Sequence, residues 1–251
     1  MCLLVFAWDC HPRYRFVFAG NRDEFHSRAA RPAQWWDGHA MLAGRDEQAG
    51  GSWLGVGRDG RFVVVTNFRE MKPGRDDARS RGELVPGYLK SDASFQLQLN
   101  DEQDEYNGFN LILGDLQNEP LHYLSNRGTA CKIEPGVHGL SNHQLDTPWP
   151  KVMRANAGLH KLIEQPAIEA EQLLHLLSDQ KPADQATLPD TGVGPELERL
   201  LSSIFIVSAN YGTRCSTVVL LDRVGRMQFV ERRFGPTGES VGESRFSFQL
   251  S

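Results

Sequence analysis

Cys2-Leu3-Leu4-Val5-Phe6-Ala7-Trp8 is the stretch on which the reading of this chain turns. Leu3 through Trp8 are all apolar, with β-branched and aromatic members, and read as a buried strand starting almost at the initiator. Tyr14 to Ala19 is a second run of the same kind, and Asp9, His11 and Pro12 between the two supply turn chemistry. Residues 2–8 and 14–20 are therefore expected to form a hairpin. Its second strand returns along the first and carries Asn21-Arg22-Asp23-Glu24 back beside the chain start.

That placement gives Cys2 two readings. Cys is among the most buried residue types, and one that opens a core strand is ordinarily a small hydrophobe. Read chemically, Cys2 is a nucleophile with a built-in base. A small second residue permits removal of Met1, which leaves a thiol and a free α-amine on one residue. The amine, with a pKa of roughly 7.7–8 against ~8.5 for the thiol, moves protons near neutrality. A carboxylate at Asp23 would hold the ammonium and a guanidinium at Arg22 would favour the thiolate, so a Cys2 thiol more acidic than an ordinary cysteine is expected. A salt-bridged turn after a strand accounts for the same charges.

Further motifs follow in order: Gly50-Gly51-Ser52-Trp53-Leu54-Gly55, Thr66-Asn67, Tyr106-Asn107-Gly108-Phe109-Asn110, Gly139-Leu140-Ser141-Asn142, Leu145-Asp146-Thr147-Pro148-Trp149-Pro150-Lys151 and Thr213-Arg214-Cys215-Ser216-Thr217. With Cys2 and the block at 21–24, this set resembles the NRDE-domain family, also called the transport and Golgi organisation protein 2 family, over nearly the whole chain. The resemblance implies the N-terminal nucleophile hydrolase fold, α+β in class, a four-layer αββα sandwich with two antiparallel sheets between helical layers. It also implies an association with haem trafficking and with lipid or acyl-CoA metabolism. By analogy with the related bile-salt and penicillin-amide hydrolases, it implies Asn67 and Asn142 as oxyanion donors and Arg214 as an orienting charge near the nucleophile. Read without the family, both Asn residues are turn formers at strand ends. Those hydrolases end their second strand in an arginine three residues before the aspartate; Gly20 stands there in this chain. Arg22 is adjacent to Asp23, and neighbours on a strand point to opposite faces, so Arg22 is expected to point away from the thiol if Asp23 faces it.

Composition narrows the function classes. The chain has 251 residues and a net charge of −5 with scattered Lys and Arg, so no electrostatic footprint for nucleic acid is present. No stretch approaches the ~20 apolar residues of a membrane span, and the apolar start lacks the basic flank and length of a signal peptide. A cytoplasmic protein with one domain over 1–251 is expected. Four cysteines without a CxxC pair suit a reducing compartment and give no structural metal site. The eight histidines do not cluster, and His138 and His143 fit no ligand spacing. No cofactor is required, and haem enters only as a transported ligand.

Strands are also expected at 52–57, 61–67, 109–114, 120–125, 204–209, 217–222 and 227–234, and helices at 81–90, 94–101, 149–164 and 167–177. Residues 178–196 read as a surface loop. Gly55-Val56-Gly57-Arg58-Asp59-Gly60 satisfies GxGxxG, but a strand rather than a helix follows, so these glycines are expected to turn a hairpin. Gly51 would let backbone approach a ligand, with Trp53, Phe68 and Phe25 as apolar walls; a bulge with a core Trp is the competing reading.

Two functions of different classes remain. One is an N-terminal-cysteine hydrolase or acyltransferase acting on an amide, ester or thioester of a small acylated ligand, with Cys2, Arg22, Asp23, Asn67, Asn142 and Arg214 as its catalytic set. The other is a non-catalytic carrier of haem or an acylated lipid in the same cleft.

Overall fold

The computed structural model describes residues 2–38, 40–71, 74–91, 95–118 and 120–251, without the side chains of Gln96 and Leu97. Its strands are β1 (Cys2–Trp8), β2 (Tyr14–Phe25), β3 (Ala30–Trp35), β4 (Met41–Asp46), β5 (Leu54–Gly57), β6 (Arg61–Asn67), β7 (Phe109–Asp115), β8 (His122–Ser125), β9 (Cys131–Lys132), β10 (Gly136–Leu140), β11 (Tyr211–Asp222), β12 (Arg226–Phe234) and β13 (Ser240–Gln249). The helices are α1 (Leu84–Lys90), α2 (Phe95–Glu102), α3 (Pro150–Ile163), α4 (Ala170–Leu176) and α5 (Pro195–Leu201). Contacts divide the chain into two compact units, one of residues up to Ser27 with Pro135–Gln249, the other Arg28–Glu134 with Leu250–Ser251.

The first unit is a six-stranded antiparallel sheet in the order β10-β1-β2-β11-β12-β13. Alternation along the strands sends Leu3, Val5 and Ala7 of β1, Val17 and Ala19 of β2 and Val218 and Leu220 of β11 to one face, where they pack with Val152, Ala155 and Leu159 of α3 and Leu173 and Leu174 of α4. Each such aliphatic side chain taken out of water contributes about 1.5–3 kcal/mol before chain entropy is set against it. Phe6, Phe16 and Phe18 alternate with that set and stack along the opposite face.

The second unit is a seven-stranded antiparallel sheet, β3 through β9 in sequence order. Leu84, Val85 and Leu89 of α1 and Phe95 and Leu99 of α2 pack with Val63, Val65, Leu111 and Leu113 of its central strands. The GxGxxG segment turns the β5–β6 hairpin, with Gly60 at φ 87°.

The hairpin of β1 and β2 forms as expected, and β2 runs on to Phe25. The expected strand at 204–209 is corrected. Ile204, Phe205 and Ile206 are buried, but Phe205 N–H bonds to the Asp179 carbonyl and the Ile206 carbonyl accepts from Thr213 N–H, so the segment is irregular and the strand begins at Tyr211. The loop read over 178–196 holds a 3-10 turn at Gln185–Thr187 and the start of α5. Ser94, given to the helix at 94–101, lies outside the described residues, as does Met1, whose removal was expected; that helix runs Phe95–Glu102. Among the described residues no helix is long and apolar enough to cross a membrane.

Candidate active site

Antiparallel pairing collects four strand ends at one end of the six-stranded sheet. β1 starts there; β2 returns to place Arg22 directly across from Cys2, and β10 arrives on the other side, its Leu140 paired with Leu4 just before Ser141 and Asn142. β11 begins at the same end, with Thr213 across from Asp23 and Cys215 across from Arg22. Arg214 is the extra residue of a β-bulge between those two pairs.

Cys2 is held through its backbone. Its N–H donates to Asn142 Oδ1 at 3.3 Å, and its carbonyl accepts from Ser141 Oγ at 2.9 Å, with the same hydroxyl 3.2 Å from Asn142 Oδ1. The Asp23 amide N–H bonds to the thiol. Burial pushes the Cys2 thiol pKa up more than the charge at the chain start, the Asp23 N–H and Arg22 pull it down, so the balance is upward. This direction is that of the chain with Met1 in place, where desolvation outweighs the cations; the acidic thiol is expected of the chain that starts at Cys2.

Directly paired residues share a face, so Arg22 lies on the same face as Cys2 and Cys215, between the two thiols. The expectation that Arg22 points away from the thiol is corrected. It is Asp23 whose side chain takes the other face, the one α3 covers, while its backbone reaches the sulfur. Asp23 is 2% exposed, and Thr213 Oγ1 donates to its Oδ1 at 2.7 Å. Thr213 Oγ1 in turn accepts from Ile206 N–H at 2.9 Å, and Tyr211 Oη donates to the Asp23 carbonyl at 3.1 Å. Burial raises the Asp23 pKa; the chain-start charge, Lys151, the Thr213 bond and Arg22 oppose the rise without cancelling it.

The other sequence-predicted residues take definite places. Asn142 is 1% exposed and presents Oδ1 to Cys2, so a donor role toward an oxyanion falls to its Nδ2. Arg214 Nη1 donates to the carbonyls of Phe25 at 2.9 Å and His26 at 3.2 Å, fixing the end of β2. Phe25 is exposed and meets Tyr211 edge-on. Asn67, Gly51, Trp53 and Phe68 belong to the second unit. There Asn67 is exposed at the end of β6 across from Phe109. The close approach at Gly51 is to the chain's own backbone: a Cβ would sit 2.3 Å from the Gly82 carbonyl oxygen, and the Trp53 indole fills the space where a Gly44 side chain would go. The departure at Gly20 is likewise one of packing, since a Cβ there would meet Leu4 and Phe18 at 2.9 Å.

Sequence reasoning left three members of the site unassigned. Ser141 and Thr213 sit in motifs already noted, yet only the register shows that they touch Cys2 and Asp23. Lys151, the end of another motif, is 2% exposed at the start of α3. Asn21 is structural, its Nδ2 bonding to the Leu177 and Ile204 carbonyls and its Oδ1 accepting from Ser216. Among the described residues no group of three His, Cys, Asp or Glu side chains could hold a metal ion.

A mutant of the conjugated bile acid hydrolase of Clostridium perfringens superposes over 98% of this chain and 92% of its own with a TM-score of 0.51 at 9% identity, which identifies the fold as α+β, of the N-terminal nucleophile hydrolase type. The Transport and Golgi organization 2 homolog of Mus musculus is 35% identical, with 92% of each chain covered. The homologue of Homo sapiens is also 35% identical, over 100% of this chain and 99% of its own. The family model described as Transport and Golgi organisation 2 matches residues 1–236, and the chain belongs to that family.

Proposed function

We propose that this protein is an N-terminal-cysteine hydrolase or acyltransferase acting on an amide, ester or thioester bond of a small acylated ligand. The observation that carries this reading is the clamp on Cys2: its nitrogen on Asn142 Oδ1, its carbonyl on Ser141 and its sulfur on the Asp23 N–H. A structural cysteine has no need of a fixed backbone nitrogen with a buried carboxylate nearby. Once Met1 is removed, that nitrogen is the α-amine.

The amine takes the thiol proton, and the thiolate, with Arg22 across the strand pair to favour it, adds to the acyl carbon. The bond to the leaving group breaks as the ammonium returns its proton to the departing nitrogen, oxygen or sulfur, leaving an acyl thioester on Cys2. A water, deprotonated by the amine, then releases the carboxylic acid; an acceptor amine or alcohol in its place gives acyl transfer. The name of the bile acid hydrolase, which acts on a conjugated acid, supports acyl chemistry on this scaffold.

Cys2→Ala still permits Met1 removal and deletes the nucleophile. A panel of amide, ester and thioester substrates should show kcat lower by about a thousandfold or more with binding retained. Full activity in Cys2→Ala, or no turnover by wild type whose intact mass shows Met1 gone, rejects this reading in favour of the carrier.

A further inference from the structure

Lys151 stands against two regularities at once. Lysine is rarely fully buried, and a cation at a helix start opposes the macrodipole. Lys151 is nonetheless 2% exposed in the first turn of the 14-residue α3, next to Pro150. The chain builds this placement in detail. Asp146, at φ 58°, donates its N–H to the Gly139 carbonyl at 2.8 Å and accepts the Gly139 N–H on Oδ1 at 2.8 Å, closing the turn that carries Asn142 to Cys2. Gly139 then lets α3 settle onto β10, since a Cβ there would lie 2.6 Å from Val152 and 2.7 Å from Asn156 Oδ1. Lys151 is thus buried over the sheet face that holds the Asp23 side chain.

We propose that Lys151 is a positioning residue that keeps the α-amine of Cys2 neutral and basic by sharing the Asp23 carboxylate with it. The proposal rests on Cys2 being the amine-bearing nucleophile. An ammonium alone beside a buried carboxylate is a locked ion pair and cannot accept the thiol proton. A second, immobile cation on the same carboxylate removes part of that attraction and adds like-charge repulsion, so the amine gives up its proton more readily. Lys151 acts on Asp23, and so does the charge at the chain start, which passes to the Cys2 nitrogen once Met1 is removed. Other charged or titratable groups at this end of the sheet include Arg22 and Glu24 of β2, Tyr211, Arg214 and Cys215 of β11 and Glu231, Arg232 and Arg233 of β12, of which Arg22 also acts on Asp23.

The test follows amine protonation by the 13Cα shift of labelled Cys2 against pH, in the full chain produced with Cys2 as its first residue. Relative to wild type, Lys151→Met should raise the amine midpoint by about one unit, while Lys151→Arg should keep it near the wild-type value. Met matches the shape of Lys better than Arg does, so a mere packing role predicts the reverse order. An unchanged midpoint in folded Lys151→Met overturns the proposal. Should Lys151→Met fail to fold, Lys151→Gln decides: the midpoint rises if Lys151 shares the carboxylate, and an unmoved midpoint overturns the proposal. Because no substrate is involved, a midpoint that responds in a protein without turnover rejects the hydrolase reading alone.

Discussion

The unit built on β3 to β9 and the unit that carries Cys2 handle buried polarity in opposite ways. In the former, Tyr123 Oη donates to Asn110 Oδ1 at 2.8 Å and Asn110 Nδ2 to Thr66 Oγ1 at 3.2 Å, a neutral ladder across three strands. Its large ion network, Arg79 with Glu83, Glu102 and Glu105 at 3.0, 2.6 and 3.0 Å, lies on the surface. In the latter, Arg22, Asp23, Lys151 and Glu231 are all buried, the first three around the start of β1. Neutral ladders satisfy polar groups at little cost, whereas buried charges lose hydration and rarely recover it in full. Asp46 and Glu198 are buried singly elsewhere, but three charged side chains gathered at the start of one strand are the pattern expected where ions serve chemistry.

Substitutions can break this contrast. The largest stability effect is expected at the ladder: Asn110→Ala takes away the bond that each hydroxyl makes to it, at ~1–3 kcal/mol per buried group, read from the urea midpoint. The contrast sharpens when one chemical change is made in both units. Burial raises the Asp23 pKa, so the folded chain holds that proton more tightly than the unfolded one, and stability declines as pH rises from the ordinary carboxylate range through the raised value. Asp23→Asn should therefore be at least as stable as wild type at neutral pH, with the difference vanishing in acid, while turnover is lost. Burial also acts upward on Asp46, but the bond from Arg28 and the Ala49 and Gln48 N–H groups outweigh it and hold the carboxyl below its usual range. Its stabilisation is present above the ordinary Asp value and is lost as pH falls through the depressed one. Asp46→Asn should accordingly cost roughly 1–2 kcal/mol at neutral pH and nothing in strong acid. Equal signs for the two Asp→Asn variants in thermal melts against pH would remove the contrast. The smallest effect is expected at Arg79→Ala, under about 1 kcal/mol despite three carboxylate partners, because exposed pairs are screened; a loss unaffected by salt would contradict this.

Much of this arrangement was legible in the chain because it depends on local pattern. The apolar runs at 2–8 and 14–20 set the hairpin, and the hairpin sets Arg22 and Asp23 beside Cys2. What alternation could not show was which side of the hairpin each residue takes. The register puts Arg22 with the thiol, and the bulge at Arg214 aligns Thr213 with Asp23. Strands β3 and β13 escaped because Pro32 interrupts one and Ser, Glu and Arg fill the other, an edge strand with little apolar signal. Residues 204–209 misled for the opposite reason: an apolar run can be buried by tertiary packing without pairing as a strand. Lys151 was hidden because nothing in its sequence neighbourhood says that Gly139 lets the helix start sink onto the sheet.

The central claim is that Cys2 bears both the amine and the nucleophile. It is tested most directly by the mass of the N-terminal peptide after brief exposure of the natively produced protein to an activated acyl thioester and quenching in acid. The expected peptide begins at Cys2, lacks Met1 and carries one acyl group on its thiol. A peptide that retains Met1, or an acyl group found only on Cys10 or Cys131, which are exposed, would contradict it.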